Sequence, residues 1–214
     1  MSDKENPAIK VAKYLLEIKA VKLQVKKPFK WASGWDSPIY CDNRKTLSYP
    51  KVRDYLKDCF VNTIKEKYPN ADIIIGVATG GIALAALVAQ ELNLPLCYVR
   101  AKAKGHGLTN TIEGELSIGN NAVVIEDLIS TGGSSLNAVK SLREAKCNVL
   151  GMLAIFSYGF KIAEDNFINN SCNLDILSNY STLVKQAEKM NYISNSDVKS
   201  LKDWRNSPNT WKKC

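Results

Sequence analysis

The sequence predicts an α/β fold, in which a mostly parallel central sheet is flanked by helices. Two observations support this prediction. Short apolar runs alternate with apolar residues at helical spacing through the middle of the chain, as they do in strand–helix–strand units. The segments richest in glycine, hydroxyl and charged side chains directly follow the apolar runs. Because ligands bind beyond the carboxyl ends of the strands in open α/β sheets, these segments are candidate site loops.

The first half of the chain alternates between predicted helices and strands. The apolar spacing predicts helices over residues 7–21, 49–68 and 82–92, and strands over 72–77 and 95–100. Pro7 and Pro50 suit the first turns of their helices. Residues 23–31 are expected to form a strand and a turn around Pro28.

The second half continues the alternation. The apolar run Ala122 to Ile125 predicts a buried strand, and Leu136, Val139 and Leu142 recur at helical spacing. Beyond them we expect a strand over 148–157, a short helix over 161–167, a short strand over 173–177, and tail helices over 183–190 and 196–204.

The bulk properties are those of a globular protein. The 214 residues suffice for one domain with a full core, and no apolar run approaches the roughly 20 residues of a membrane span. The N-terminus lacks the apolar region of a signal peptide, and the six cysteines show no CxxC spacing. We therefore expect a cytoplasmic protein with free thiols and no membrane partner.

The formal charge of +8 admits two interpretations. One is nucleic-acid binding, and the other is a solvated, lysine-rich surface with a few cations that serve anionic small molecules. No helix-turn-helix, zinc-finger or RNA-binding signature accompanies the charge, so we expect no nucleic-acid partner.

The segment 121–135, NAVVIEDLISTGGSS, carries the clearest functional pattern. Glu126 and Asp127 follow the predicted strand, and the hydroxyl-rich run 130–135 leads into the predicted helix. Backbone N–H groups at a helix N-terminus bind an anion, whereas neighbouring acids suit sugar hydroxyls or a hydrated divalent ion. The combination favours a sugar phosphate over the alternative, an ordinary loop with solvated acids. Neither a Walker loop nor a GxGxxG pattern is present.

Residues 123–134 resemble the phosphoribosyl diphosphate (PRPP) motif of type I phosphoribosyltransferases. The resemblance implies Mg²⁺ as the cofactor, reached through PRPP and water near the two acids, with no residue binding it directly. It also implies Asp127 as a catalytic residue. The PRPP-binding residues that it implies in this motif are Glu126, Asp127, Leu128, Ile129, Ser130, Thr131, Gly132, Gly133 and Ser134.

A second segment indicates which of the type I phosphoribosyltransferases the chain resembles. Residues 31–44 read WASGWDSPIYCDNR and resemble the N-terminal signature of orotate phosphoribosyltransferases, with SG, SPIY and DNR. In that family the segment lies against the pyrimidine, which implies Tyr40 and Cys41, together with Ser130, as orotate-binding residues. Ala32 stands where some members carry a lysine, so no cation contact is expected there.

The turn 78–81, ATGG, follows a predicted strand and precedes a predicted helix. From the residues alone, a second anion cradle and a tight turn for close helix packing both remain open. By the resemblance it is the loop on the pyrophosphate side. Some members carry a lysine where this chain has Gly80, which leaves only backbone donors.

Residues 101–114 show neither helical nor strand spacing, and they concentrate cations, three glycines and the only histidine. Such a composition suits a mobile lid that closes over an anionic substrate and excludes water. The catalytic-loop pattern of the family implies Arg100, Lys104 and His106 as PRPP-binding residues, with Lys104 and His106 also catalytic. The role of Lys102 stays open.

Taken over the whole chain, the resemblance implies the type I phosphoribosyltransferase fold with a small N-terminal hood. Residues 1–214 would form a single domain, with about 1–45 contributing to the hood and about 179–214 forming a helical tail. The implied reaction converts orotate and PRPP to orotidine 5'-monophosphate and pyrophosphate, in pyrimidine (UMP) biosynthesis. The implied assembly is a homodimer with a shared active site.

Two alternatives remain at this point. One is a purine or uracil phosphoribosyltransferase, and the other is a PRPP-sensing regulator that binds nucleic acid. The residue that would meet the orotate carboxylate is also open, because the arginine that some members place near Tyr158 is missing.

Overall fold

The computed structural model describes residues 6–31, 34–100 and 111–211. Ala32, Lys102, Lys104 and His106, whose roles are considered above from sequence, lie outside the described residues. The N-terminal elements are α1 (Pro7–Glu17), β1 (Val21–Leu23), β2 (Phe29–Lys30), β3 (Asp36–Ser37), β4 (Ile39–Cys41) and a 3-10 helix (Asn43–Ser48).

The remaining elements alternate between helices and strands. The central ones are α2 (Pro50–Lys67), β5 (Ile73–Val77), α3 (Gly80–Leu92), β6 (Leu96–Val99), β7 (Ile112–Glu113), β8 (Asn121–Ile129) and α4 (Gly133–Glu144). The last ones are β9 (Asn148–Ser157), α5 (Lys161–Asn169), β10 (Leu174–Asn179), α6 (Tyr180–Lys189) and α7 (Asn195–Asn206).

A six-stranded sheet forms the centre, with the strand order β10-β9-β8-β5-β6-β7. Every neighbouring pair is parallel except β6 and β7. The sequence prediction of a mostly parallel sheet is confirmed. In the described part of the chain, no helix combines the length and apolarity needed to cross a membrane.

The two faces of the sheet are covered by different helices. Alternate residues of β8 point to opposite sides, so that Val123 joins one apolar cluster and Val124 the other. The first cluster contains core residues of α1, α2, α3, α6 and α7, and the second contains those of α4 and α5. This alternation is why the central strands are apolar almost throughout.

Two small antiparallel pairs, β1 with β4 and β2 with β3, lie outside the large sheet. We call these two pairs the hood ribbons. No strand was predicted within residues 32–44, so that β3 and β4 were missed. Strands of two or three residues are too short to show a period.

Two further predictions were wrong in their boundaries. The first helix ends at Glu17 and not at Val21, because Lys19 takes a left-handed conformation with φ 54° and the chain continues as β1. Ile112 and Glu113 were assigned to a segment without strand spacing, yet they pair with Val99 and Tyr98 at the sheet edge.

The strand that carries the two acids is longer than predicted. Glu126 and Asp127 were expected just after a strand, but β8 continues through them to Ile129. The neighbouring strand β9 supplies the reason, since it stays paired as far as Ile129 with Ser157. The acids therefore lie on a rigid element, and the loop that follows is only Ser130–Gly132.

Candidate active site

The turn after β5 and the turn after β8 lie side by side. Because these strands are parallel neighbours, their carboxyl ends meet at one edge of the sheet. Together they enclose a cavity of about 320 Å³. Its lining residues are Val77, Ala78, Thr79, Gly80, Glu126, Asp127, Leu128, Ser130, Thr131, Gly132, Ser134 and Ser135.

Most predicted PRPP-binding residues of the motif line this cavity, but two do not. The side chain of Ile129 is fully buried in the core. Gly133 begins helix α4 directly behind the lining residues. Any contact that Ile129 makes with a ligand would therefore use its backbone.

The N-terminus of α4 is built to receive an anion. Gly132 precedes the helix with φ 82°, and a Cβ there would lie 2.9 Å from the Phe167 ring. Asn166 Nδ2 donates to the Thr131 carbonyl at 3.0 Å and anchors the turn to α5. Among the described residues no side chain caps this helix, so its first N–H groups stay available.

The two neighbouring acids are not equivalent. Glu126 is 6% exposed, and its carboxylate accepts hydrogen bonds from the Asp127 N–H and the Ser135 hydroxyl, both at 2.9 Å. Burial, and next the charge of Asp127, raise the pKa of Glu126 above its usual range. Asp127 is only half-buried. Of the two, Asp127 is thus the acid that is better placed to meet a ligand.

The glycines after β5 serve close packing as well as the cavity. A Cβ at Gly80 would overlap the Asp127 carboxylate, and one at Gly81 would overlap the Ile125 carbonyl oxygen. The turn therefore lets α3 approach β8, which is the packing interpretation. Since Gly80 also lines the cavity, its backbone remains open to a ligand, and the two interpretations are compatible.

The segment after the hood ribbons is tied to the acids by a buried amide. Asn43 is 1% exposed, and its Nδ2 donates to the Asp127 carbonyl at 2.6 Å. Cys41 Sγ donates to Asn43 Oδ1 at 3.2 Å. Burial raises the pKa of the Cys41 thiol, and Asp127 adds to the shift, so this thiol lies in electrostatic range of the site.

Two arginines border the site. Arg100 Nη1 lies 3.2 Å from Glu113 Oε1, and Arg100 lines a smaller cavity of about 110 Å³ that shares Ala78 and Ser134 with the first. Arg44 Nε donates to Asp42 at 2.7 Å, and its side chain is 59% exposed. This bond raises the pKa of Arg44, with a further contribution from Asp127.

Comparison with known proteins identifies the family. A family model of the phosphoribosyl transferase domain matches residues 43–183. The orotate phosphoribosyltransferase of Cytophaga hutchinsonii is 53% identical over 203 residues, which cover 95% of this chain and 97% of that relative. That of Phocaeicola vulgatus is 54% identical over 200 residues, 94% of each chain. The chain belongs to the orotate phosphoribosyltransferase family.

Solved structures agree with this placement in the orotate phosphoribosyltransferase family. The crystal structure of orotate phosphoribosyltransferase from Aeropyrum pernix superimposes with a TM-score of 0.75 at 29% identity, over 86% of this chain and 99% of that one. The structure of Leishmania donovani UMP synthase gives a TM-score of 0.77 at 25% identity, over 93% of this chain and 42% of that one.

An aromatic cluster at the end of β9 joins Tyr158, which lies inside the matched domain, to Trp31 and Trp204, which lie outside it. Tyr158 is 3% exposed, and its ring centroid lies 4.9 Å from that of Trp31 and 6.1 Å from that of Trp204. Its N–H donates to the Ile129 carbonyl at 3.1 Å, next to Ser130. Burial raises the pKa of the Tyr158 phenol, and Cys41 adds to the shift.

The predicted orotate-binding residues separate into two groups. Ser130 lines the 320 Å³ cavity, whereas Tyr40 and Cys41 do not. Tyr40 is 42% exposed and packs on Phe29, with ring centroids 5.5 Å apart. Sequence reasoning missed Asn43, which connects the Tyr40–Cys41 segment to the cavity. The only signal for it was its position in the DNR run.

Proposed function

We propose that this family member transfers the phosphoribosyl group of PRPP to orotate, forming orotidine 5'-monophosphate and pyrophosphate in pyrimidine biosynthesis. The observation that carries the proposal is the cavity lined by both Asp127 and the residues at the uncapped N-terminus of α4, with Asn43 of the DNR run bonded to the Asp127 carbonyl. Relatives named orotate phosphoribosyltransferase at above 50% identity support the choice of acceptor.

PRPP, the phosphoribosyl donor, would be held at its 5'-phosphate and at its diphosphate. Backbone N–H groups of Thr131 to Ser135 and the hydroxyls of Thr131 and Ser134 receive the 5'-phosphate, since this turn offers donors and the positive end of a helix dipole. Asp127 accepts hydrogen bonds from the ribose hydroxyls. The buried Glu126 side chain stabilises the end of β8 by accepting hydrogen bonds from the Asp127 N–H and the Ser135 hydroxyl. The diphosphate then extends towards Arg100 and the lid residues Lys104 and His106.

Mg²⁺ is the proposed cofactor. Within residues 6–31, 34–100 and 111–211, no group of three or more His, Cys, Asp and Glu side chains could hold a metal ion. The half-exposed Asp127 beside Gly80 fits an ion that is held through PRPP oxygens and water, near Glu126 and Asp127. Bound there, the ion would supply positive charge to the diphosphate.

The proposed chemistry breaks the bond between the anomeric carbon and the diphosphate oxygen, whose electron pair leaves with pyrophosphate. Nitrogen N1 of orotate forms the new bond and loses its proton. The ribose develops oxocarbenium character while negative charge grows on the leaving group. Cations at Arg100, Lys104 and His106 therefore act mainly in the transition state and raise turnover more than binding.

Orotate is itself an anion, so its site needs a cation as well as an aromatic wall. Arg44 directly follows Asn43, which donates to the Asp127 carbonyl, and its side chain is 59% exposed. Its exposed guanidinium, oriented by Asp42, suits bidentate contact with a carboxylate. We therefore assign the binding of the orotate carboxylate to Arg44.

Direct assay tests the function. Orotate absorbance is followed with PRPP, with and without Mg²⁺, and the assay is repeated with uracil, adenine and hypoxanthine. We expect Mg²⁺-dependent consumption of orotate alone. A preference for another base would replace the proposal with the uracil or purine alternative, and PRPP binding without any transfer would favour the regulator.

The proposed assembly is a cytoplasmic homodimer in which the lid of one subunit completes the site of the other. Asp127→Ala protein and Lys104→Ala protein each have strongly reduced activity by this proposal, but a mixed dimer contains one site free of both changes. We expect activity to return after subunit exchange. Persistent inactivity in mixtures, with dimer exchange verified by native mass spectrometry, would contradict a shared site.

A further inference from the structure

We call the part of the site that would bind the base the acceptor side, and its two proposed walls are the hood ribbons and the segment after β9. Helix α7, near the C-terminus, contacts both walls. Trp204 is fully buried, and its Nε1 donates to the Asp36 carbonyl of the hood ribbons at 3.1 Å. Its ring centroid lies 5.4 Å from that of Trp31 and 5.5 Å from that of Phe160. One side chain thus joins the hood ribbons to the segment after β9.

The next residue holds the same segment by its backbone. Arg205 Nη2 donates to the Gly159 carbonyl at 2.7 Å, and Arg205 Nε donates to the Tyr158 carbonyl at 3.3 Å. Helix α7 is in turn joined to α6, because the Tyr180 hydroxyl donates to the Leu201 carbonyl at 2.9 Å. Helix α7 therefore packs behind Tyr158 and holds its backbone in place, and we call this helix the brace.

This brace lies outside the matched phosphoribosyl transferase domain, which ends at residue 183, and so do the hood ribbons, which precede residue 43. The donor cavity, by contrast, is lined entirely from within that domain. The hood ribbons and helix α7 meet beside the proposed position of the acceptor base, between Ser130, Cys41 and Tyr158.

We propose that Trp204 is a positioning residue for the acceptor base. It sets the separation between the hood ribbons and the end of β9, and thereby the affinity for the base, while PRPP binding is independent of it. The inference rests on the proposed function, because it takes the acceptor to lie between these two walls.

The test compares Trp204→Phe and Trp204→Leu with the wild type. The first removes the Nε1 donor but keeps a ring, and the second removes both. Loss of one hydrogen bond predicts a rise in the KM for orotate of about threefold in Trp204→Phe, and the additional loss of an aromatic pair predicts a rise of about tenfold or more in Trp204→Leu. The Kd for PRPP, measured by calorimetry without a base, should stay within about twofold, below the effect of one such contact.

The matched control is Trp211→Phe, which changes a tryptophan of the same tail whose Nε1 donates to Ser200. A purely structural role would lower the melting temperature without a selective rise in the KM for orotate, as expected of this control. The inference is overturned if Trp204→Phe, folded by circular dichroism, leaves the KM for orotate unchanged or raises the Kd for PRPP equally. The double variant Trp31→Phe/Trp204→Phe should show less than additive effects, because the two indoles are in contact.

This outcome is separable from a failure of the proposed function. If the wild type transfers to a base other than orotate, the function is wrong, and the same comparison is repeated with that base. If the wild type uses orotate and Trp204→Leu does so with normal KM, only the positioning role is lost.

Discussion

The proposed donor side and the proposed acceptor side of the site are built in different ways. The donor side consists of two turns at neighbouring strand ends, and its groups are largely backbone N–H donors and one strand-borne acid. The acceptor side is assembled from the hood ribbons, the end of β9 and helix α7, which meet through aromatic packing. A phosphate needs only oriented donors, which a short local motif can present, whereas a flat anionic base needs walls that distant segments must form together.

The largest expected effect concerns the donor side. Lys104→Ala should lower kcat by about 10²–10³, the usual loss when one electrostatic donor to a transition state is removed. Affinity for PRPP should change far less, because the charge that Lys104 meets develops on the leaving group. Steady-state kinetics check this, with the exposed surface variant Lys140→Ala as control. Near-normal turnover in Lys104→Ala would remove the residue from the mechanism.

The next effect concerns the acceptor side. Arg44→Gln should lower kcat/KM for orotate by about tenfold to a hundredfold, as expected from losing a charged hydrogen bond of roughly 1.5–3 kcal/mol. The Kd for PRPP, measured without a base, should be unaffected. Arg53→Gln, which alters an arginine paired with Asp54 on α2, is the control. An equal loss of affinity for PRPP would assign Arg44 to the donor side or to folding.

A smaller effect tests whether the two sides are independent. Asn43→Ala removes the hydrogen bond to the Asp127 carbonyl, and leaving that buried acceptor unpaired costs about 1–3 kcal/mol. We expect a lower melting temperature and KM values that rise for orotate and PRPP together. Asn148→Ala, at the far end of β9, removes a 2.7 Å bond to Asn121 and should leave both KM values unchanged. A rise for one substrate alone would show that Asn43 does not couple the sides.

The last prediction concerns pH and folding stability rather than turnover. Since burial raises the pKa of Glu126, the folded protein holds its proton more tightly than the unfolded chain does. This stabilisation is complete below the unfolded pKa of about 4.3 and is lost as pH rises towards the folded value. Glu126→Gln does not titrate, so its stability relative to the wild type should increase from pH 5 to pH 8, by about 1.4 kcal/mol for each pKa unit of the shift. Urea unfolding without ligands measures this, and a constant difference would contradict the raised pKa.

Local patterns predicted much of this molecule. The order of the major helices and strands, the parallel sheet and the cradle at Ser130–Ser135 follow from apolar spacing and from one contiguous polar run, each of which is encoded within about ten residues. The acids were also found, but their inequivalence was not. Glu126 and Asp127 look alike in sequence, and only the Ser135 hydroxyl and the burial of Glu126 distinguish them.

Only the tertiary structure decided how the acceptor side is held together. Asn43 meets Asp127 across 84 residues of sequence, and Trp204 meets Asp36 across 168. Such contacts carry no local signature, because an amide or an indole in a short irregular segment gains its partner from packing and not from spacing. The sequence by itself determined the fold class and the phosphate cradle, since backbone geometry and hydrophobic period act over a few residues. The walls of the proposed base site depend on how the hood ribbons and helix α7 pack against the end of β9, which is a property of the folded core.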